Sequence, residues 1–228
     1  MSNEVSKATE NFFSKYGRAA TSHAIIGRLL RFNKFGEYHA GQDGEKIPYG
    51  TKLAAAMDTL CVGYIRWEGG RPAERIMGPI AEGFVPPKRD SLGHTDKAQW
   101  DQFDDGRPSD PWQFTNEVVL ADLENGGELF TFSTSSKGGL DAMGQLCLKH
   151  GEHIRQHPDE VPVIELQMGS YKHVEYGEIR FPILKIVGRI SAKNLPPIEA
   201  SGGQQQLEAP DDDGGGNDAG GNDAGLFM

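Results

Sequence analysis

Apolar and polar positions alternate most clearly in the second half of the chain. Between residues 112 and 121, Trp112, Phe114, Val118 and Leu120 share one face, which predicts a half-buried strand. Asn125-Gly126-Gly127 is a hairpin turn signal, and residues 129–134 predict the returning strand. The period then changes. Leu140, Met143, Cys147 and Ile154 recur at helical spacing, so a helix is predicted over about 138–157, capped by Ser135 or Ser136 and ended by Pro158. Residues 161–168 and 178–190 predict two more strands, joined through 169–177.

The first half is less regular. Residues 24–38 interleave apolar and basic side chains, and Gly27 and Gly36 with Phe32 and Phe35 favour strand over helix. After the turn signals Gly41-Gln42-Asp43-Gly44 and Pro48-Tyr49-Gly50, two strands are predicted over 51–57 and 60–68. The second of these puts Cys61, Gly63, Ile65 and Trp67 on one face. Gly69-Gly70 closes it, and 74–78 predicts a third strand. Residues 84–111 hold four prolines and almost no periodicity, which predicts a long loop that is functional or mobile.

The order of elements predicts a mainly β fold, an OB-fold-like barrel with one helix between strands 3 and 4, its first strand drawn from 51–68. A different mixed α+β sandwich, or two small β-units, has the same local pattern. The domain is expected over 23–195, after a flexible arm over 1–22 with at most a short helix around 11–16. Residues 196–228 carry Gly, Gln, Asn, Asp and Ala with almost no apolar side chain until Leu226-Phe227-Met228, and are expected to form a disordered acidic tail.

Charge sharpens that division. Of 228 residues with a net charge of −10, seven acids and no Lys or Arg lie from Glu199 onward. The remainder holds 23 basic and 26 acidic residues, a near-neutral body that can carry a local basic groove. No run of 18 apolar residues exists, and the N-terminus lacks the apolar stretch of a secretory signal. Cys61 and Cys147 are too few for a disulfide framework, so a reduced cytoplasmic location is expected.

Three constellations could carry chemistry. His150, His153 and His157 fall on one side of the predicted helix, and the last two have the i, i+4 spacing of zinc ligands. No H-E-x-x-H arrangement or second Cys-x-x-Cys element accompanies them. Complementing the helix C-terminal dipole is therefore the preferred reading, with no metal and no cofactor expected. The segment from Ser133 to Gly139 lies at a strand-to-helix junction, where Lys137 and exposed N–H groups can hold a backbone phosphate. It lacks P-loop spacing, and helix capping alone accounts for its serines. Basic and aromatic residues interleave at Arg28, Arg31, Phe32, Lys34 and Phe35, at Tyr64, Arg66, Trp67, Arg71 and Arg75, and at Lys88 and Arg89. Single-stranded nucleic acid is bound by such a combination, cations on phosphates and aromatic faces under bases. For each residue alone, a core aromatic or a solvated arginine is the simpler assignment. Asp104, Asp105, Asp110 and His94 stand in the long loop, but no triad, paired-carboxylate motif or dinucleotide fingerprint is present, and no catalytic residue is expected.

The tail completes a recognisable plan. Acids at Asp211, Asp212 and Asp213 followed by an apolar tip at Leu226 and Phe227 resemble the acidic-tailed single-stranded DNA-binding proteins of bacteria and T7-like phages. The bacterial tails end in Pro-Phe, whereas this chain ends Phe227-Met228. Separately, Ile47-Pro48-Tyr49-Gly50-Thr51, Asp110-Pro111-Trp112-Gln113, the stretch from Phe130 to Ser136 and Tyr171-Lys172-His173 resemble a family carried by phages and prophages. That second similarity covers about 28–188 and implies a phage genome context, without bringing an activity. The resemblances imply a non-enzymatic OB-fold protein of the bacterial host cytoplasm that binds single-stranded DNA in phage replication or recombination. Arg28, Arg31, Lys34, Arg66, Trp67, Arg71, Arg75, Lys88, Arg89 and Lys137 would contact nucleic acid. The tail would regulate binding and recruit replication or recombination proteins, with self-association as a further partnership and no membrane. The alternative functions are a phage accessory module that binds protein but no DNA, and a metal-dependent enzyme using the histidine helix or the long loop.

Overall fold

The mixed apolar and basic N-terminal segment is extended, as its glycines and aromatics predict. It forms β1 (Arg28–Phe32), β2 (Tyr38–Ala40) and β3 (Glu45–Ile47). Asn33 turns the chain between the first two by accepting from the N–H groups of Phe35 and Glu37, both at 3.0 Å. The computed structural model describes residues 25–103, 106–174 and 176–198. The arm expected over 1–22 and the tail residues Asp211, Asp212, Asp213, Leu226 and Phe227 lie outside the described residues.

Residues 51–57 and 60–68, expected as two strands, belong to one strand of 17 residues, β4 (Lys52–Glu68). The pairing register shifts between Ala56 and Cys61, so the inside–outside alternation resets without the strand ending. Thr59 stitches the irregularity: its hydroxyl donates to the Ala56 carbonyl at 2.7 Å and accepts from the Val119 N–H at 3.0 Å. Leu53, Ala55 and Met57 enter the main core before the shift, and Leu60 and Val62 after it. β5 (Arg71–Pro79) folds back on the second half of β4.

The segment 80–111 contains three short 3-10 turns and a small hairpin of β6 (Asp101–Gln102) and β7 (Pro108–Ser109). Beyond it come β8 (Trp112–Asp122) and β9 (Glu128–Thr134). Their turn uses Gly126 and Gly127 at φ 72° and 80°, and is closed by the Asp122 carboxylate, which accepts from the N–H groups of Glu124 and Asn125. The helix α1 (Lys137–Ile154) starts at Ser136, whose hydroxyl accepts from the Gly139 N–H at 3.2 Å. Its core-facing stripe is Gly139, Met143 and Leu146 with Cys147 beside them. Leu146 was not in the predicted stripe, and Ile154, which was, is exposed. β10 (Glu160–His173) and β11 (Gly177–Ser191) then form a long hairpin.

The fold is mainly β. One curled, half-barrel sheet has the order β11-β10-β4-β8-β9-β1-β2-β3, with β5 also paired to β4. β1 runs parallel to β9, and the other pairings are antiparallel. Leu30, Tyr38, Leu53, Leu120, Phe132, Met143, Ile164 and Leu166 anchor the core inside the curl, and α1 lies against β11. A smaller cluster of Ile25, Leu29, Ile65 and Met77, with Cys61 and Trp67 against it, occupies the opposite face. The one-faced placing of Cys61, Ile65 and Trp67 therefore holds. Among the described residues no helix is long and apolar enough to cross a membrane.

Candidate nucleic-acid interface

The predicted basic residues fall into two groups once their neighbours are known. Four guanidiniums are engaged by carboxylates of the same chain. Arg28 reaches Glu45 at 2.8 Å, Glu128 at 3.2 Å and Asp43 at 3.4 Å. Arg66 lies between Glu68 at 3.0 Å and Glu74 at 3.5 Å. Arg75 meets Glu117 at 2.6 Å, with side chains only 13% and 8% exposed. Arg89 grips Asp110 through two bonds of 2.7 Å and donates also to the carbonyls of Gly93 and His94. These groups hold the fold together before they could hold a phosphate.

The second group faces solvent. Lys34, Arg71 and Lys88 are exposed, and Lys137 is exposed but pairs with Asp141 one turn along α1 at 2.7 Å, which raises its pKa. Phe35 stands 64% exposed beside Lys34, whose ammonium lies 5.7 Å from the ring centre. Arg31 sits on β1 opposite His39. Trp67 packs into the smaller apolar cluster, so its ring is a core contact rather than an open stacking face. These residues are spread over the β1–β2 turn, the β4–β5 hairpin, the 3-10 turns and the helix start.

A denser arrangement forms where the β4-to-β8 connection meets the β10–β11 hairpin. Arg89 organises it. With Asp110 also accepting from the Trp112 N–H at 2.9 Å, the segment 89–110 is pinned at both ends. His94 adopts φ 51°; its carbonyl accepts from the Trp100 indole at 2.7 Å and its Nδ1 from the Trp112 indole at 3.3 Å. The Trp100 ring then has two cations near it, Arg89 at 5.8 Å and Lys97 at 5.7 Å from its centre. Farther along, the Arg107 guanidinium lies 5.4 Å from the Phe103 ring and 5.3 Å from that of Tyr176, joining the two connections. Tyr176 in turn stacks on His173, with centres 4.8 Å apart and planes 27° apart. Such cation–aromatic contacts contribute about 0.5–1 kcal/mol each at exposed sites.

Compared with protein-family models, curated proteins and solved structures, the chain matches none. Its chemistry is therefore read from this geometry. Trp100, Phe103, Arg107, His173 and Tyr176 were not among the residues expected from sequence. A signal existed, in Lys97 beside Trp100 and Arg107 beside Phe103 within one Pro- and Gly-rich segment, but Tyr176 joins them only through the fold. At the helix start Ser136 caps α1 by accepting from the Gly139 N–H, while the Ser135 hydroxyl donates to the Gln113 side chain at 3.3 Å. The Cys61 thiol is pushed up to about 11, chiefly by burial, and burial raises that of Cys147 as well.

Proposed function

We propose that the chain is a single-stranded DNA-binding protein that serves phage replication or recombination from an OB-like half-barrel. The observation that carries this reading is a pair of aromatic–cationic groups, Trp100 with Arg89 and Lys97, and Phe103 with Arg107, Tyr176 and His173, the second built where two connections meet. Strand pairing supports it. β4, β8 and β9 form an antiparallel meander, β10 returns after α1 to pair with the start of β4, and β11 pairs with β10. If these five are the barrel strands, with β5 an addition paired to β4, the helix would fall between the third and fourth. In that reading the segment 69–111, which includes β5, and the connection 174–176 would stand for the loops between strands 1 and 2 and between strands 4 and 5, which bind oligonucleotides in OB-folds. In this chain the far side of β9 is occupied by β1.

In this reading Trp100 and Tyr176 supply faces for bases, while Lys88 and Lys97 supply charge for phosphates. The acidic tail competes for that surface when DNA is absent, and its Leu226-Phe227 tip docks into replication or recombination partners. Fluorescence anisotropy of labelled oligo-dT, with the full chain and with a truncation ending at Pro197, tests it. Truncation is expected to tighten binding and to lessen its dependence on competing acidic peptide. Silence from both proteins at low salt overturns the proposal.

One observation favours a second reading. Arg28, Arg66, Arg75 and Arg89 are all engaged by carboxylates, which leaves less free positive charge than a backbone-tracking groove uses. An accessory module that binds a phage or host protein through the same cluster needs no such charge. Retention of a polymerase, helicase or recombinase without oligonucleotide binding would select it.

A further inference from the structure

The far end of α1 carries a different chemistry, independent of the proposed DNA surface. His153 and His157 are one helical turn apart, and the backbone between them keeps helical bonding beyond the last residue of α1, the His157 N–H donating to the His153 carbonyl at 3.1 Å. Sequence alone grouped these two rings with His150 and did not offer Glu160. The fold supplies it: the chain reverses at Pro158-Asp159, and Glu160 at the start of β10 brings its carboxylate back against both imidazoles. Glu160 Oε2 lies 2.7 Å from His153 Nε2, and Oε1 lies 3.9 Å from His157 Nδ1. One ligand atom from each of the three residues lies within 4.8 Å of the others.

Those separations bracket the roughly 3.3 Å between ligand atoms that bonds of 2.0–2.2 Å impose in a tetrahedral site. The two rings are stacked, with centres 4.6 Å apart and planes 17° apart. A turn of the exposed His157 ring about its own axis is the adjustment that aims its lone pair between His153 and Glu160. The helix C-terminus adds negative potential at the same place, and this favours a bound cation as much as a protonated imidazole.

We propose that His153, His157 and Glu160 form a binding site for a zinc-class divalent transition metal, which ties the end of α1 to β10. Two imidazoles and one carboxylate suit a borderline cation better than the oxygen-seeking magnesium or calcium. Three protein ligands leave a fourth position for water or for a donor from a partner.

The test is titration of the untagged, chelator-stripped full chain with cobalt chloride, read by visible absorption, followed by displacement with zinc chloride. One cobalt per chain, released by zinc, is expected. His153→Gln, His157→Gln and Glu160→Gln should each weaken uptake by more than the roughly 10–100-fold that outer-shell partners contribute. His150→Gln, one turn earlier, should leave the affinity within about twofold. Glu160→His, which replaces one ligand by another, should retain uptake where Glu160→Gln loses it, so a merely structural role for Glu160 is separated from ligation. Uptake below one cobalt per chain, or uptake indifferent to Glu160→Gln, overturns the site.

Discussion

At the scale of single residues, long-range ion pairs decide more than local pattern. Arg75 and Glu117 are 42 residues apart in sequence, buried together, with Ser133 donating to the second carboxylate oxygen at 3.1 Å. Removing one partner leaves the other charge buried and uncompensated, which costs about 3–5 kcal/mol. Arg75→Met is therefore expected to lower the urea-unfolding free energy by about that much, and Arg75→Met with Glu117→Leu to recover most of it. Glu37 shows the milder, exposed case. Lys46 and then His39 hold its carboxyl below the usual carboxylate value of 4.5. A depressed carboxyl contributes stability that is present above that value and lost as pH falls through its lower folded pKa. Lys46→Met should flatten the decline of melting temperature with acidification below pH 4.5, as followed by circular dichroism. The Ser136 cap was legible because its partner is three residues away. The binding of Arg75 and Arg89 to carboxylates was not, because their partners arrive only through strand pairing and loop closure.

At the scale of elements, α1 was readable because it buries one stripe, and β8 and β9 were readable from their apolar content and the Asn125-Gly126-Gly127 turn although both faces are buried over 117–122 and 130–132. β4 was misread as two strands for a physical reason. Its register shift between Ala56 and Cys61 reverses the alternation midway, and a local pattern cannot distinguish that from a break. Its second half makes a close approach that only glycine permits. Gly63 has φ 149°, and an added Cβ would stand 2.0 Å from the Ile76 carbonyl oxygen across the β4–β5 pair. Gly63→Ala is expected to cost about 1–3 kcal/mol in backbone strain, or more if β5 is pushed away. A lowered urea midpoint would show it, and an unchanged midpoint would mean that the hairpin has room to give. Ser136→Ala should cost about 1 kcal/mol by the same assay, through loss of the α1 cap.

At the scale of the whole molecule, a mainly β chain with one helix was legible from the order of apolar periods. The long connection was legible only as irregular. Its internal order comes from Arg89, Asp110 and two indoles meeting at His94, contacts with no repeat in the sequence. That order brings two cations close to Trp100, and Arg107 to Tyr176 on the other hairpin, so the candidate surface is a product of tertiary assembly. The expected basic stripes were read from sequence proximity, and the curl of the sheet redistributes them. The most direct measurement is a titration of labelled oligo-dT at low salt with the intact chain, Trp100→Ala and Tyr176→Ala, each checked for an unchanged melting profile. Loss of one base stack costs about 1–3 kcal/mol, so each variant should bind roughly tenfold more weakly than the intact chain. No binding by the intact protein, or binding that neither substitution alters, would contradict the account.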